Sequence, residues 1–512
     1  MHSIISYDFI IIGGGIAGLY AAYSLKKKNK NYKILVLEKK NRLGGRIKTI
    51  NEVDKTIFES GAARISERHI NVLKLLKELN LKQKLLKLPP YPVKKENKNK
   101  IFDIINKSKK KSKEFRLKNT FESASEYFNY NSKQIINDNG YNTNMEKLNL
   151  EDYLRYHKNI SNIKNNFYKL KNGLTQICLS LEKHIGEKNI IKNCALIDFE
   201  YNNNTFEIHT HQNKITTIYY SKYLFLAIPK TPLLEIPALK TIRQLPSKLR
   251  SVHETNYIRI FAKYPVDKKN NWIIDIPIRT TTPSIARQII IADRDKNLIE
   301  IYCDGVDAKK WHQLIIKDKL YESFQKYLSN TFPKINFPKP QFVLPYYWKA
   351  GSHFWKKNVD SNKIKNSILN PVKNLFIVGE AYSDTQAWME GCLQSVNKGV
   401  DLLEKQLPQK SLAYKIPSKK RTLRKSSTTF PRSKKKVTCY SIDEVAKHNT
   451  PDNAWVAYDN NVYDITDWIS RHPGGNVILY GIGKDITQMF NAVGHSKFAL
   501  KKLKEYQIGN LK

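Results

Sequence analysis

Four residues near the N-terminus have the types and spacing needed to hold a dinucleotide. Gly13, Gly15 and Gly18 form a G-x-G-x-x-G pattern, and Glu38 follows twenty residues after Gly18. Gly13 allows a tight turn, Gly15 lets the backbone approach a pyrophosphate, and Gly18 lets a helix pack closely on a strand. The helix N-terminus then attracts the phosphate charge, and the Glu38 carboxylate is placed to accept hydrogen bonds from a ribose diol.

These residues need a strand, a helix and a second strand to position them. An apolar run ends at Ile12, apolar residues at helical spacing follow from Leu19 to Leu25, and a second apolar run covers Ile34 to Leu37. Strand, glycine turn, helix, strand and acid, in that order, are typical of a Rossmann-like unit. This context favours dinucleotide binding over a glycine turn that binds nothing.

Two histidines near the C-terminus form a second candidate site. His472 opens the stretch His-Pro-Gly-Gly, and His495 follows 23 residues later. With its surroundings, this pattern resembles cytochrome b5 over residues 438–512. The resemblance implies a haem b whose iron is ligated by both imidazoles, which leaves no open position and gives electron transfer rather than oxygen activation. Ile486 stands where that family usually has Ala, so pocket details differ.

A second glycine pair lies just after Glu38, in the stretch Arg42-Leu43-Gly44-Gly45-Arg46. This pair lies close enough in sequence for Gly45 to close over the same pyrophosphate. The guanidinium groups of Arg42 and Arg46 could then give bidentate, charge-assisted hydrogen bonds to phosphate. A third piece reads as a buried strand that ends in Gly379-Glu380 and is followed by a helix near Met389.

In this order the three pieces resemble the FAD-dependent amine oxidases, over residues 7–404. The resemblance implies that Gly379 and Glu380 touch the ribityl chain of FAD and that the helix near Met389 points its N-terminus at the flavin, stabilising negative charge there. Some members carry a cysteine linked to the flavin, whereas residues 349–353 here contain no thiol. The FAD is therefore expected to be noncovalent.

The resemblance also implies roles at the substrate. Gly61 and Arg64 form a Gly-x-x-Arg stretch that looks most like the L-amino acid oxidases, in which the Arg binds the substrate carboxylate. Flavin phosphate or a neighbouring acid is the alternative partner of Arg64. Tyr302 is expected to make a second carboxylate contact, with an ordinary packed tyrosine as the alternative, and Trp388 is expected to wall the pocket. Arg259 replaces a Lys that in most members holds a water beside the flavin, which argues against fast reaction with oxygen.

The predicted fold class is an α/β FAD-binding, Rossmann-like domain with an interleaved α+β substrate domain and a small α+β haem domain. The expected boundaries are 1–88, 167–245 and 341–405 for the FAD-binding domain and 89–166 and 246–340 for the substrate domain. A basic linker at 406–437 and a cytochrome b5-like domain at 438–512 follow. A chain of 512 residues is long enough for about three domains.

The amino-acid composition indicates the kind of compartment in which the protein is found. The five cysteines are scattered, odd in number and without a CxxC pair, which favours a reducing compartment over a disulfide framework. The sequence shows no long uncharged apolar run, so we expect a soluble, cytoplasmic protein without a transmembrane segment. Abundant Lys, Asn and Ile indicate an AT-rich coding bias, which would suit a virus-encoded protein and explains much of the net charge of +42.

Part of that charge is concentrated in one stretch. Residues 406–436 contain eleven bases and no acid, together with prolines, serines and threonines, and read as a flexible linker. The simplest interpretation is a solvated tether. A weak contact with nucleic acid or another acidic surface is the alternative.

These observations predict oxidative deamination of an amine, most simply an L-amino acid, by hydride transfer to FAD. The electrons would pass to oxygen or, one at a time, to the fused haem and an unknown acceptor. One alternative is a polyamine or protein-amine oxidase, in which Arg64 is structural. Another is a non-catalytic flavin and haem redox carrier.

Overall fold

The computed structural model describes residues 6–51, 56–89, 95–139, 143–160, 166–212, 215–266, 272–407, 438–471, 478–479, 481–492 and 497–512. The chain divides into two compact units, Met1–Lys410 and Ser411–Lys512. His472 and His495, and nearly all of the basic linker at 406–437, lie outside the described residues.

The first unit contains two large sheets and several small ones. Its strands are β1 (Ser6–Ile12), β2 (Ile34–Leu37), β3 (Thr49–Ile50), β4 (Phe58–Glu59), β5 (Ile65–Ser66), β6 (Leu85–Lys87), β7 (Phe167–Leu170), β8 (Ile190–Ile191), β9 (Cys194–Asn202), β10 (Thr205–Gln212), β11 (Ile215–Leu226), β12 (Val252–Lys263), β13 (Arg279–Thr281), β14 (Gln288–Asp293), β15 (Leu298–Asp304), β16 (Phe342–Trp355) and β17 (Leu375–Ile377).

Helices cover these sheets. They are α1 (Ile16–Lys28), α2 (Ile70–Glu78), α3 (Lys95–Lys109), α4 (Lys113–Lys118), α5 (Phe121–Tyr127), α6 (Ser132–Asn139), α7 (Thr143–Lys147), α8 (Leu150–Ile160), α9 (Thr175–Ile185), α10 (Lys230–Glu235), α11 (Pro237–Thr241), α12 (Leu245–Leu249), α13 (Gly305–Ile316), α14 (Leu320–Thr331), α15 (Ser361–Leu369) and α16 (Met389–Gln406).

The first sheet has the order β8-β2-β1-β11-β10-β9, with β17 also paired to β11. Strands β8, β2, β1, β11 and β17 run parallel. Both faces of β1 are buried, because Phe9 and Ile11 pack into one hydrophobic core and Ile10 and Ile12 into another. This two-sided burial explains why the strand reads as an unbroken apolar run rather than an alternating one.

The second sheet is antiparallel, in the order β13-β14-β15-β12-β16, and α13 and α14 pack on it through Trp311 and Phe324. Strand β16 pairs with β12 from Phe342 to Trp355. This segment falls in the range 341–405 that we predict for the FAD-binding domain, and in the structure its hydrogen-bonded register with β12 makes it part of the second sheet. The domain boundaries remain a prediction.

The second unit is a small mixed sheet with short helices. Its elements are β18 (Cys439–Tyr440), α17 (Ile442–Ala446), β19 (Asn449–Thr450), β20 (Asn453–Tyr458), β21 (Asn461–Asp464), α18 (Thr487–Ala492), α19 (Lys497–Glu505) and β22 (Gln507–Leu511). Ala454, Val456, Tyr463 and Ile465 form its core. No helix in the described parts of either unit combines the length and apolar content needed to cross a bilayer.

Candidate cofactor and active site

The glycine loop between β1 and α1 has the geometry that its sequence predicts. Gly13 has φ +106°, and a Cβ on Gly18 would lie 1.9 Å from the Gly13 carbonyl oxygen, so no larger residue fits there. Glu38 is buried at the end of β2, and its carboxylate accepts hydrogen bonds from the amides of Gly14 (2.6 Å) and Lys40 (2.8 Å). Glu38 therefore both faces the cradle and fixes the shape of its loop.

The second glycine pair closes against the first. The Gly44 amide donates to the Gly14 carbonyl at 2.8 Å, and a Cβ added to Gly15 would lie only 3.9 Å from the Cα of Gly45. Arg42 does not reach across this cradle: its guanidinium donates to the carbonyls of Gly45 (2.8 Å) and Leu43 (3.1 Å). In the structure Arg42 braces the loop.

Arg46 and Glu380 form an ion pair at the centre of the site. Arg46 Nη1 donates to Glu380 Oε1 at 2.5 Å and to the Gly351 carbonyl at 3.0 Å. Burial alone would raise the pKa of Glu380, but the charges of His353 and Arg46 lower it to about 2. A Cβ on Gly61 would lie 2.0 Å from the Arg46 carbonyl oxygen, so Gly61 shapes the same corner.

The start of α16 faces the same space. Gly379 (φ +139°) ends the strand segment, and its amide donates to Ser395 Oγ on α16 at 3.1 Å. Trp388 directly precedes the helix, Met389 is its first residue, and the Trp388 indole Nε1 donates to the Tyr156 hydroxyl at 3.0 Å. Helix α8 therefore helps to set the orientation of Trp388.

Arg64 lies beside two aromatic rings that stack on each other, with 6.0 Å between their centroids. Its guanidinium carbon is 5.4 Å from the ring centroid of Phe167 and 5.9 Å from that of Trp388, within cation–π range. His69 contacts the Trp388 ring, with 4.9 Å between the ring centroids. Burial and the Arg64 charge lower the pKa of His69 to about 3, so the His69 imidazole is neutral.

Arg259 and Tyr302 are register partners on β12 and β15. The guanidinium of Arg259 lies 4.8 Å from the Tyr302 ring centroid and forms a buried ion pair with Glu300. Tyr257 adds a further ring, 6.0 Å from Tyr302 and 6.2 Å from Trp348. The predicted charge at Arg259 is thus largely balanced by Glu300.

One cavity of about 1440 Å³ connects these groups. It exceeds the roughly 300–1,000 Å³ of most small-molecule pockets, which leaves room for a dinucleotide and a substrate. Both glycine loops and the Arg46–Glu380 pair fit the phosphate and polyol parts of FAD. Predicted site residues on its walls are Gly13, Gly15, Glu38, Gly45, Arg46, Gly61, Arg64, Arg259, Tyr302, Gly379, Glu380, Trp388 and Met389.

Sequence reasoning missed three residues of this region. Tyr156 orients Trp388, and His353 and Glu254 extend the Arg46–Glu380 pair into the protein interior. In the sequence, residues 349–353 are informative only for their lack of a thiol. The available signal for His353 was a histidine within an aromatic-rich stretch, Tyr346 to Trp355.

The described part of the second unit includes apolar side chains that follow His472, or precede His495, closely in sequence. Ile478, Leu479, Ile486 and Phe490 contact its core, and the Ile486 amide donates to the Ala457 carbonyl at 2.9 Å. A Cβ on Gly481 would lie 2.9 Å from Ile486 Cγ2, so Ile486 is closely packed. The ligand assignment to His472 and His495 remains a prediction.

Part of each unit resembles a known protein family. Residues 441–512 match the cytochrome b5-like haem/steroid binding domain family, and residues 11–79 match the NAD(P)-binding Rossmann-like domain family. Cytochrome b5 of Rhizopus stolonifer is 48% identical over 73 residues, which are 14% of this chain and 56% of that protein. The acyl-lipid (8-3)-desaturase of Physcomitrium patens is 38% identical over 96 residues, or 19% of this chain and 20% of that protein. The matched residues thus cover about half of the length of the cytochrome b5 relative and a fifth of the length of the desaturase.

Solved structures resemble the first unit. Cyclohexylamine oxidase of Brevibacterium oxydans aligns with a TM-score of 0.62 at 14% identity, covering 78% of this chain and 99% of that one. A putrescine oxidase gives 0.63 at 13% identity, covering 78% and 100%. A putative protoporphyrinogen oxidase of Exiguobacterium gives 0.60 at 14% identity, covering 79% and 100%.

The chain therefore combines a Rossmann-like fold, which it shares with solved amine and protoporphyrinogen oxidase structures, with a C-terminal cytochrome b5 domain. The resemblance and the fold class predicted from the sequence are confirmed. FAD suits the fold and the cradle, and haem is implied by the cytochrome b5 domain, as predicted.

Proposed function

We propose that this chain oxidises an amine that carries a carboxylate, an L-amino acid in the simplest case. The observation that carries the proposal is the position of Arg64 on the cavity wall, beside the stacked rings of Phe167 and Trp388. Cation–π contact with this ring pair favours one placement of the guanidinium, and a guanidinium can bind a carboxylate through two parallel hydrogen bonds.

The charges around the aromatic end of the cavity favour an anionic substrate group. Arg64, Lys98 and Lys349 line the cavity, whereas the Arg259 charge is balanced by Glu300. The carboxyls of Asp304 and Glu235 also line it; burial raises the pKa of Asp304 to about 6, which still leaves this group mostly ionised at pH 7. The three cations outnumber these two carboxyls, which argues against a polyamine.

The reaction needs the substrate to present its neutral amine and Cα–H to the cofactor. Bound FAD accepts hydride in this chemistry. In our proposal Arg64 fixes the carboxylate end, Tyr302 adds a second contact, and Trp388 walls the pocket so that Cα has one orientation. The resulting imino acid takes up water and gives a 2-oxo acid and ammonia.

The fused haem domain provides an electron acceptor on the same chain. If the predicted linker at 406–437 acts as a tether, it raises the effective concentration of one domain at the other toward the millimolar range. We propose that electrons leave the first unit one at a time to the haem held by His472 and His495, and then to an external acceptor. Oxygen is the competing acceptor.

Substrates matched in all but the carboxylate test the proposal. The full chain, reconstituted with FAD, is mixed without oxygen with L-amino acids and with the amines that each gives on decarboxylation. We expect flavin bleaching with at least one amino acid, faster than with its matched amine by a factor on the order of 10 to 100. Bleaching by spermine and by no L-amino acid would establish the polyamine alternative, and no bleaching by any amine would leave the redox carrier.

A further inference from the structure

His353 is a fully buried histidine whose two ring nitrogens both face carboxylates. Its Nδ1 lies 2.5 Å from Glu380 Oε1, and its Nε2 lies 3.3 Å from Glu254 Oε2. An ionised carboxylate can only accept hydrogen bonds, so both nitrogens must donate. A neutral imidazole has one donor, and only the imidazolium has two.

The four hydrogen-bonded groups of the cluster around His353 are electrically balanced among themselves. Arg46 and His353 contribute two positive charges, and Glu380 and Glu254 two negative ones. Glu254 is fixed further by the Thr231 hydroxyl, which donates to it at 2.8 Å. Burial favours the neutral ring, but the carboxylates of Glu380 and Glu254 raise the pKa of His353 above its ordinary value. Other titratable groups that face the cluster are Lys230, Tyr257, Tyr382 and Cys392.

The same carboxylate links His353 to the cofactor cavity. Glu380 uses Oε1 for Arg46 and His353, and its Oε2 accepts from the Ala387 amide at 2.9 Å. Ala387 has φ +65°, a left-handed conformation that a residue with a side chain adopts only when its surroundings hold it. That turn delivers Trp388 and the first residue of α16 to the cavity wall.

We propose that His353 is a positioning residue that acts through Glu380 to hold the cofactor-facing turn at Ala387 and the Arg46 side chain. Its charge is required because Glu380 and Glu254 together would otherwise leave an excess negative charge in the interior, beside a cradle built for an anionic dinucleotide. The role depends on the FAD cradle and is independent of which substrate is oxidised.

A charge-balance cycle tests this role without measuring activity. FAD is titrated into the apo form of the full chain for wild type, His353→Gln, Glu254→Gln and the double variant, with flavin fluorescence as the readout. We expect His353→Gln to weaken FAD binding about tenfold or more, as happens when partners that orient a buried ligand are removed. In the double variant the charges balance again, so most of the lost affinity should return.

Two results would overturn the proposal: wild-type affinity in His353→Gln, or a double variant that binds FAD no better than His353→Gln. His209→Gln is the matched control. His209 is also paired with a carboxylate, that of Glu207 at 3.1 Å, but both residues lie on β10 and not on β16. This variant should bind FAD as wild type does.

The protonation state can be read in the wild type, whether or not the variants fold. Nitrogen NMR of the full chain with labelled histidine should show one ring protonated at both nitrogens that does not titrate near the ordinary histidine pKa of about 6.5. A His353 ring that is neutral at pH 7, or that titrates in the ordinary range, would contradict the proposal.

Discussion

Arg46 and Glu380 are separated by 334 positions in the sequence, and their side chains lie 2.5 Å apart. Arg46 belongs to the second glycine loop, and Glu380 follows β17, so this pair joins the two ends of the first unit at the cofactor cavity. Glu380 is 3% exposed.

Glu380→Gln should destabilise the protein at neutral pH by about 3 kcal/mol, because the pKa of Glu380 falls from 4.5 to about 2 on folding. A depressed folded-state pKa gives stability that is present above the unfolded pKa and is lost as pH falls through the folded pKa. The difference between wild type and variant should therefore be full at pH 7 and shrink below about pH 4.5. Urea unfolding across this range measures it, and a difference that grows as pH falls would contradict the assignment.

Gly18→Ala and Gly15→Ala should fail in different ways. The added Cβ of Gly18→Ala meets a backbone oxygen at 1.9 Å, so the helix must move and stability should fall by about 1–3 kcal/mol. The added Cβ of Gly15→Ala would lie 3.9 Å from its nearest neighbour, the Cα of Gly45, which is an ordinary contact distance, so the apo fold should keep its Tm. That methyl group nevertheless narrows the approach to the pyrophosphate, and FAD affinity should fall. Equal Tm losses in both variants would show that the close approach at Gly15 is structural.

Arg64→Ala should abolish the preference for an amino acid over its decarboxylated amine. We expect KM for the amino acid to rise by a factor on the order of 10 to 100, from the lost bidentate contact, with FAD content unchanged. Lys87→Ala removes another cation from the cavity wall and serves as the control, with little change in KM. Loss of FAD from Arg64→Ala would show that Arg64 holds the cofactor instead.

His472→Ala should remove the haem Soret band while leaving flavin reduction intact, because the iron loses one of its two predicted ligands. His448→Ala is the matched control in the same unit. The His448 ring stacks on Trp455 at 3.6 Å, and Nδ1 pairs with Asn453, so this histidine is already engaged and haem binding should persist. A full Soret band in purified His472→Ala would exclude His472 as a ligand.

The sequence could predict those parts of the site whose residues lie close together along the chain. Gly13, Gly18 and Glu38 lie within one strand–helix–strand unit, so their relative positions follow from the geometry of that unit. Arg46 and Glu380 were each placed at the cofactor through family resemblance, but nothing in their spacing predicted that they pair with each other.

The parts that sequence missed depend on contacts between distant segments. His353 lies between Glu254 on β12 and Glu380, because β16 pairs with β12, and that register was not predicted. Arg42 was expected at the pyrophosphate, yet nearby carbonyls of its own loop take its donors. Tyr156 comes from a polar helical segment whose pattern gave no sign of Trp388 as its partner.

The central claim is that an L-amino acid reduces the first unit and that the electrons then pass to the fused haem. The most direct test is rapid anaerobic mixing of the full chain, holding FAD and haem, with an amino acid that bleaches the flavin. We expect flavin absorbance to fall first and the Soret band of the haem to shift to its reduced form afterwards, at a rate independent of protein concentration. A flavin that is fully reduced beside a haem that stays oxidised until an external carrier is added would contradict the account.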